Sequence, residues 1–189
     1  MDGRTFSWLA PDTLGECGGL MDFGIRQARP SDAAQMVAFV HRLCDEPDID
    51  IPMAPGEFAI TVEEEAKILQ EVADSETSVF LVADAENEIV GVLNCFGEKR
   101  KATRHVAELG ISIAQKWRGQ GIGDAMLAAA IQWAKDTKII RRIELQVFAR
   151  NTAAIHLYEK HGFQVEGRRR DAVLKDGEYL DDLVMGRLL

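Results

Sequence analysis

The sequence predicts an α/β protein of the α+β kind, a mixed, mostly antiparallel seven-stranded sheet flanked by about four helices. Three observations carry this. Apolar residues switch between period two and helical spacing along the chain. The segments so marked run β-α-α-β-β-β-α-β-α-β-β, an order that suits helices packed on a largely antiparallel sheet. A glycine-rich turn, Arg118-Gly119-Gln120-Gly121-Ile122-Gly123, joins one strand to one helix.

Taken in order, Phe23 to Ala28 alternates and reads as a short first strand. Ser31 occupies an N-cap position before Ala33, Ala34, Met36, Val37, Val40 and Leu43 at helical spacing. Asp45 to Phe58 holds three prolines and a glycine and reads as an irregular loop long enough to be functional. Thr61 and Glu64 form a capping box that opens a second helix running to Ala73. Val79 to Ala83 is a strand, turned by Glu86-Asn87-Glu88 into a partner from Ile89 to Phe96. After the basic stretch Lys99–Arg104, His105 to Ile113 places Ala107, Leu109, Ile111 and Ile113 on one face. A helix from about Gly121 to Thr137 buries Met126, Leu127, Ala130, Ile131 and Ala134. Arg142 to Ala149 is a strand, and Asn151 to Lys160 a helix ended by Gly162 in a left-handed cap. Phe163 to Arg170 and Tyr179 to Arg187 form a last hairpin through Lys175-Asp176-Gly177.

A chain of 189 residues with 47% hydrophobic and 28% charged side chains fits one globular domain. Residues 23–189 are expected to form it, with 1–22 as an N-terminal arm or extension. No apolar run reaches the roughly 18 residues that span a bilayer, and the first twenty lack the pattern of a secretory signal. Cys17, Cys44 and Cys95 show no CxxC spacing, so a reduced cytoplasmic protein without a metal site is the simplest expectation. Net charge is −9, unevenly placed: 19 acids against 5 bases in residues 1–90, and 12 against 17 in residues 91–189. That split suits an anionic cofactor in the second half and a cationic acceptor near the first, and the overall acidity argues against nucleic acid.

The glycine-rich turn suits a diphosphate for physical reasons. A helix N-terminus offers unpaired N–H groups and partial positive charge. Gly119, Gly121 and Gly123 let the backbone curl its amides inward and let a ligand approach, and Arg118 can add a charge-assisted contact. A P-loop needs GxxxxGK followed by Ser or Thr, and a dinucleotide fingerprint needs GxGxxG; the GxGxG spacing here meets neither.

From about Ala107 to Phe163 the chain resembles the GNAT superfamily of N-acetyltransferases. Arg118, Gly121 and Gly123 match its Arg/Gln-x-x-Gly-x-Gly/Ala signature, and Asn151, Tyr158 and Gly162-Phe163 follow at its spacing. A weaker likeness runs from Phe23 to the C-terminus. The resemblance implies a GNAT-type acyl-CoA N-acyltransferase fold with acetyl-CoA as co-substrate and no metal. It implies that the pantetheine arm pairs with the strand at Ile111, Ser112 and Ile113, and that Arg118, Gly119, Gln120, Gly121, Ile122 and Gly123 hold the diphosphate. Asn151 and Ala154 would add contacts to CoA, and Tyr158 would protonate the departing thiolate.

A base must deprotonate the amine before attack. Glu108, on the strand entering the loop, is the candidate, with a pKa raised if a cleft desolvates it. Whether Glu108 faces that cleft stays open in the sequence, as does the alternative of a solvent-facing strand residue. The oxyanion would rest on a backbone N–H near Ile111. Lys99, Arg100, Lys101 and Arg104 either approach the phosphates or form a hairpin-end cluster. His105, His156 and His161 make no metal spacing.

Segments 142–145, 165–167 and 177–179 resemble the bacterial branch acting on amino acids or small amines. The acceptor site is expected from the Asp45–Phe58 loop, the second helix and the last hairpin, with Asp45, Glu46, Asp48 and Asp50 drawing an amine if they face the cleft. Alternatives are a protein N-terminal acetyltransferase, a CoA-binding sensor or interaction module with little turnover, and a nicotinamide oxidoreductase. Membrane and nucleic-acid partners are not expected, and the resemblance allows a homodimer.

Overall fold

The computed structural model describes residues 23–47, 49–53 and 56–189. The segment 1–22, expected as an arm and containing Cys17, lies outside the described residues, as does Asp48.

The chain builds β1 (Gly24–Gln27), α1 (Ala33–Cys44), α2 (Val62–Ala73), β2 (Val79–Ala85) and β3 (Glu88–Gly97). There follow β4 (Val106–Ile113), α3 (Ile122–Thr137), β5 (Arg142–Phe148), α4 (Thr152–Lys160), β6 (Gln164–Lys175) and β7 (Glu178–Leu188). The seven strands lie in one sheet in the order β1-β2-β3-β4-β5-β7-β6. Every neighbouring pair is antiparallel except β4–β5. That pair is joined by the crossover helix α3, which parallel neighbours require.

Two apolar clusters cover the two faces. Alternate residues of β2 to β5, among them Leu81, Leu93, Ala107, Leu109, Ile143 and Leu145, pack with Met126, Leu127 and Ala130 of α3 and Tyr158 of α4. Val82, Ile89 and Val92 face the other way, onto Met36, Phe39 and Leu43 of α1 and Leu69 of α2. Trp117 and Trp133 are buried packing residues, as expected.

Local signals set several boundaries. Thr61 Oγ1 accepts from the Glu64 amide at 3.2 Å and Glu64 Oε2 accepts from the Thr61 amide at 2.9 Å, closing the capping box. Gly162, at φ +78°, ends α4 in the left-handed region. Ser31 is not the cap of α1. Residues Pro30–Asp32 form a 3₁₀ turn instead, in which Asp32 accepts from the Arg29 amide at 2.7 Å and pairs with Arg26 at 2.7 Å. The Arg26 guanidinium holds the Asp32 carboxyl below its usual range. The last hairpin is longer than expected, because pairing of β6 with β7 continues past register shifts at Val165/Gly167 and Arg169/Val173 to the Asp176-Gly177 turn.

Candidate active site

β4 and β5 pair only at Val106↔Arg142, Ala107↔Ile143 and Glu108↔Glu144. Beyond Glu108 the two strands part. β5 stays paired with β7 along its whole length, while β4 continues on β3 to Ile113. At the two ends of the β3–β4 ladder the Glu98 amide donates to the Val106 carbonyl (3.4 Å) and the Ala114 amide to the Val90 carbonyl (2.9 Å). With an unbroken register between them, the even-numbered residues of β4 direct their N–H and C=O groups at β3. Leu109 and Ile111 therefore turn theirs into the gap, as does Ile113, whose carbonyl already accepts from Arg118. Ser112 is committed to β3 through its backbone, which leaves only its side chain for a ligand.

The gap opens toward the Arg118–Gly123 turn at the C-terminal end of β4. Gly119 and Gly121 have φ of +73° and +86°, and a Cβ on either would meet nothing within 4 Å. Their backbone conformation requires glycine, and the surface above them is open. Gly123 differs. A Cβ there would lie 3.0 Å from Leu157 and 3.2 Å from Ile113, so the lack of a side chain here permits the close approach of α3 to β4 and α4. Ile122, the first residue of α3, is buried. Asp124, an acid in the first turn of α3, pairs with Lys160 at 2.7 Å and hydrogen-bonds His161 at 2.9 Å, contacts that hold its carboxyl below the usual range.

Arg118 is engaged inside the protein. Its Nε donates to the Ile113 carbonyl at 2.8 Å and its Nη2 donates to Glu46. The second oxygen of Glu46 accepts from the Gln115 amide at 2.8 Å. The acidic loop is held twice more: Asp50 pairs with Arg150 at 2.8 Å, and the Ile49 carbonyl accepts from Lys175 of the last hairpin. The expected meeting of this loop with the last hairpin thus occurs, but Glu46 and Asp50 face internal arginines, and Asp45 is exposed.

Asn151 caps α4, accepting from the Ala154 amide at 3.1 Å. Two turns on, Tyr158 is buried against Phe163, ring centroids 5.9 Å apart, and burial pushes its phenol up to about 12. Its hydroxyl stays protonated at neutral pH.

Cross-strand partners share a face, so Glu108, Gly110 and Ser112 lie on the α1/α2 side with Phe96, Asn94 and Val92. Glu108 is exposed there, the solvent-facing of the two directions left open by the sequence, because its strand neighbours Ala107 and Leu109 take the buried face. It lines a cleft of about 340 Å³ with Phe96, Lys99, Arg100 and Glu144. The basic hairpin 99–104 sits at the opposite end of β4 from the glycine-rich turn, roughly 23 Å away at strand rise, too far to approach the diphosphate. On the same face, Arg169 donates to Asp182 (2.8 Å from Nε) and to Gln146.

Two side chains, Arg169 and Asn94, escaped sequence reasoning. Arg169 meets partners distant in sequence, which local patterns cannot reveal, and the same holds for the pairing of Glu46, an expected acceptor residue, with Arg118. Asn94 could have been noticed as the one amide in an apolar run, Ile89 to Phe96. It lies over Gly110, where a Cβ would stand 2.9 Å from its Oδ1. No cluster of His, Cys, Asp and Glu suited to a metal occurs among the described residues.

The acetyltransferase (GNAT) family pattern matches residues 47–163. The chain belongs to the GNAT family. By that membership it is an N-acetyltransferase. It is 35% identical over 108 residues to the L-amino acid N-acetyltransferase of Escherichia coli K12, covering 57% of this chain and 67% of that protein. The match to the ribosomal protein uS5 alanine N-acetyltransferase of the same organism, 36% identical over 99 residues, spans 50% of that protein. A GNAT acetyltransferase from Streptococcus pneumoniae superposes with a TM-score of 0.85 at 36% identity, covering 89% of this chain and 99% of the other. A GNAT superfamily phosphinothricin acetyltransferase from Sinorhizobium meliloti, solved with acetyl-CoA, shares the fold at a TM-score of 0.76, with 21% identity over 89% of each chain.

Proposed function

We propose that the protein transfers the acetyl group of acetyl-CoA directly to the primary amine of a small molecule. The observation that carries this is the parting of β4 from β5 after Glu108, with backbone groups of Leu109, Ile111 and Ile113 facing the gap. A pantetheine arm, with two amides in need of partners, fits such an edge as an added strand. The turn at Arg118–Gly123, leading into the N-terminus of α3, suits the diphosphate. Gly119, Gln120, Gly121 and Ile122 serve by their backbone, Arg118 by shaping the turn, and Asn151 and Ala154 by holding the start of α4 beside it.

Acetyl-CoA supplies a thioester carbonyl and a thiolate leaving group. Glu108, directly or through water, takes one proton from the ammonium form of the acceptor and passes it to solvent. The freed nitrogen forms its bond to the carbonyl carbon, and the backbone N–H of Ile111 lies where it can hold the oxyanion. As the C–S bond breaks, Tyr158 gives its phenolic proton to the sulfur and recovers one from the acylated nitrogen. The raised pKa of Tyr158 supports this role, since a buried neutral phenol donates at neutral pH.

The test is Tyr158→Phe. Turnover should fall about a hundredfold while acetyl-CoA affinity by calorimetry stays near that of the native protein. Native turnover in this variant rejects the acid role. The sensor reading has less support, since a pure binder needs neither Tyr158 nor Glu108.

A further inference from the structure

We infer that the acceptor carries an anionic group beside its amine, as an amino acid does, and that Lys99 and Arg100 recognise that group. This rests on the proposed transfer at Glu108 and adds the chemistry of the molecule that receives the acetyl group.

The inference comes from which charges are paired and which are not. A polyamine would need free carboxylates along the acceptor face. Glu46 is paired with Arg118, Asp50 with Arg150, Glu144 with Arg142 at 3.0 Å, and Asp182 with Arg169, which leaves Asp45 as the exposed acid of the loop after α1 without an ion pair among the described residues. Glu108, Lys99 and Arg100 take no direct ion pair among the described residues and line the same cleft, beside the last pair of β4 with β5, Glu108↔Glu144. Glu108 is also close enough to Arg169 to interact with it electrostatically. Glu98 lies on the same hairpin, so residues 98–100 leave that wall with a net positive charge. The cleft thus opposes the Glu108 carboxylate on β4 to a wall on which the two cations Lys99 and Arg100 outnumber Glu98.

A zwitterion satisfies both walls. Its ammonium meets Glu108, and its carboxylate meets Lys99 and Arg100. A second ammonium in place of that carboxylate would face like charge, which is costly across a binding surface. Asn94 adds a polar group: its side-chain amide lies over Gly110, one register step from Glu108, with no hydrogen-bond partner among the described residues. It can accept from an ammonium or donate to a carboxylate. Arg169 is on the same face but is bound to Asp182 and Gln146, so the carboxylate falls to the hairpin cations.

The experiment measures kcat/KM at saturating acetyl-CoA for matched triplets, each an amino acid, its amide and its decarboxylated amine, with spermidine alongside. The preferred amino acid should exceed its amide and its amine by about tenfold or more, the worth of a charge-assisted contact, and spermidine should be poorer still. The double variant K99A/R100A should erase the preference for acid over amide with no change in acetyl-CoA affinity. Equal rates within a triplet, a preference for spermidine, or a preference that survives K99A/R100A would overturn the inference. Acetyl-CoA binding without transfer to any acceptor would overturn the acetyltransfer reading itself, and this inference with it.

Discussion

Glu46 and Arg118, 72 residues apart in the chain, form an ion pair that fastens the loop after α1 to the turn after β4. The same guanidinium caps the Ile113 carbonyl at 2.8 Å, and the same carboxylate receives the Gln115 amide at 2.8 Å. The arginine of the diphosphate motif therefore shapes the turn by its fork of donors. A point charge cannot make both bonds in those directions. We expect Arg118→Lys to weaken acetyl-CoA binding nearly as much as Arg118→Ala, about tenfold each, by calorimetry. Full rescue by lysine would mean that charge alone serves the phosphates.

The glycines of the turn separate by role. Gly121→Glu puts bulk and negative charge over the open face at φ +86°, and acetyl-CoA binding should be lost. Gly123→Val drives its side chain into Leu157 and Ile113. It should lower unfolding stability by about 1–3 kcal/mol, the usual cost of overpacking, as read from urea denaturation. A stable Gly123→Val protein that fails only in donor binding would contradict this division.

What could be read in the sequence was local in origin. The Thr61–Glu64 box, the Asn151 cap and the Gly162 stop each involve residues within a turn of one another, where spacing fixes geometry. Tyr158 stands out in the sequence because it falls between Asn151 and Gly162-Phe163 at the spacing of the GNAT family. The parting of β4 from β5 depends on register between residues some 36 positions apart, and no local period encodes it. The pairing of Glu46 with Arg118 and the placing of Asn94 over Gly110 arise from tertiary contact for the same reason. Ser31 misled because a favourable cap residue preceded an apolar pattern, while Arg26 drew Asp32 into a 3₁₀ turn.

Two buried acids set an alkaline limit on stability. Burial pushes the Cys95 thiol from 9.0 up to about 12, and the Tyr158 phenol from 10.0 up to about 12. In the unfolded chain both lose their protons earlier. Their contribution is thus complete below pH 9 and declines as pH rises toward 12. Urea midpoints should fall between pH 8 and pH 10.5, and the fall should be smaller in Cys95→Ala. An identical fall in that variant would exclude Cys95 as a source.

The same burial makes Cys95 chemically silent, since its thiolate is disfavoured and its sulfur is inaccessible. A thiol reagent should leave Cys95 unlabelled in the native protein and label it on unfolding, as peptide mass mapping would reveal. Native labelling at Cys95 would contradict its place in the core under β3.

The central claim, acetyl transfer from CoA to an amine at the gap between β4 and β5, is tested most directly by thiol release from acetyl-CoA across a panel of small amines and amino acids. Release should depend on acceptor, match the N-acetylated product mole for mole, and fall sharply in both Glu108→Gln and Tyr158→Phe. Tight CoA binding with no acceptor-dependent release from the native protein would contradict it.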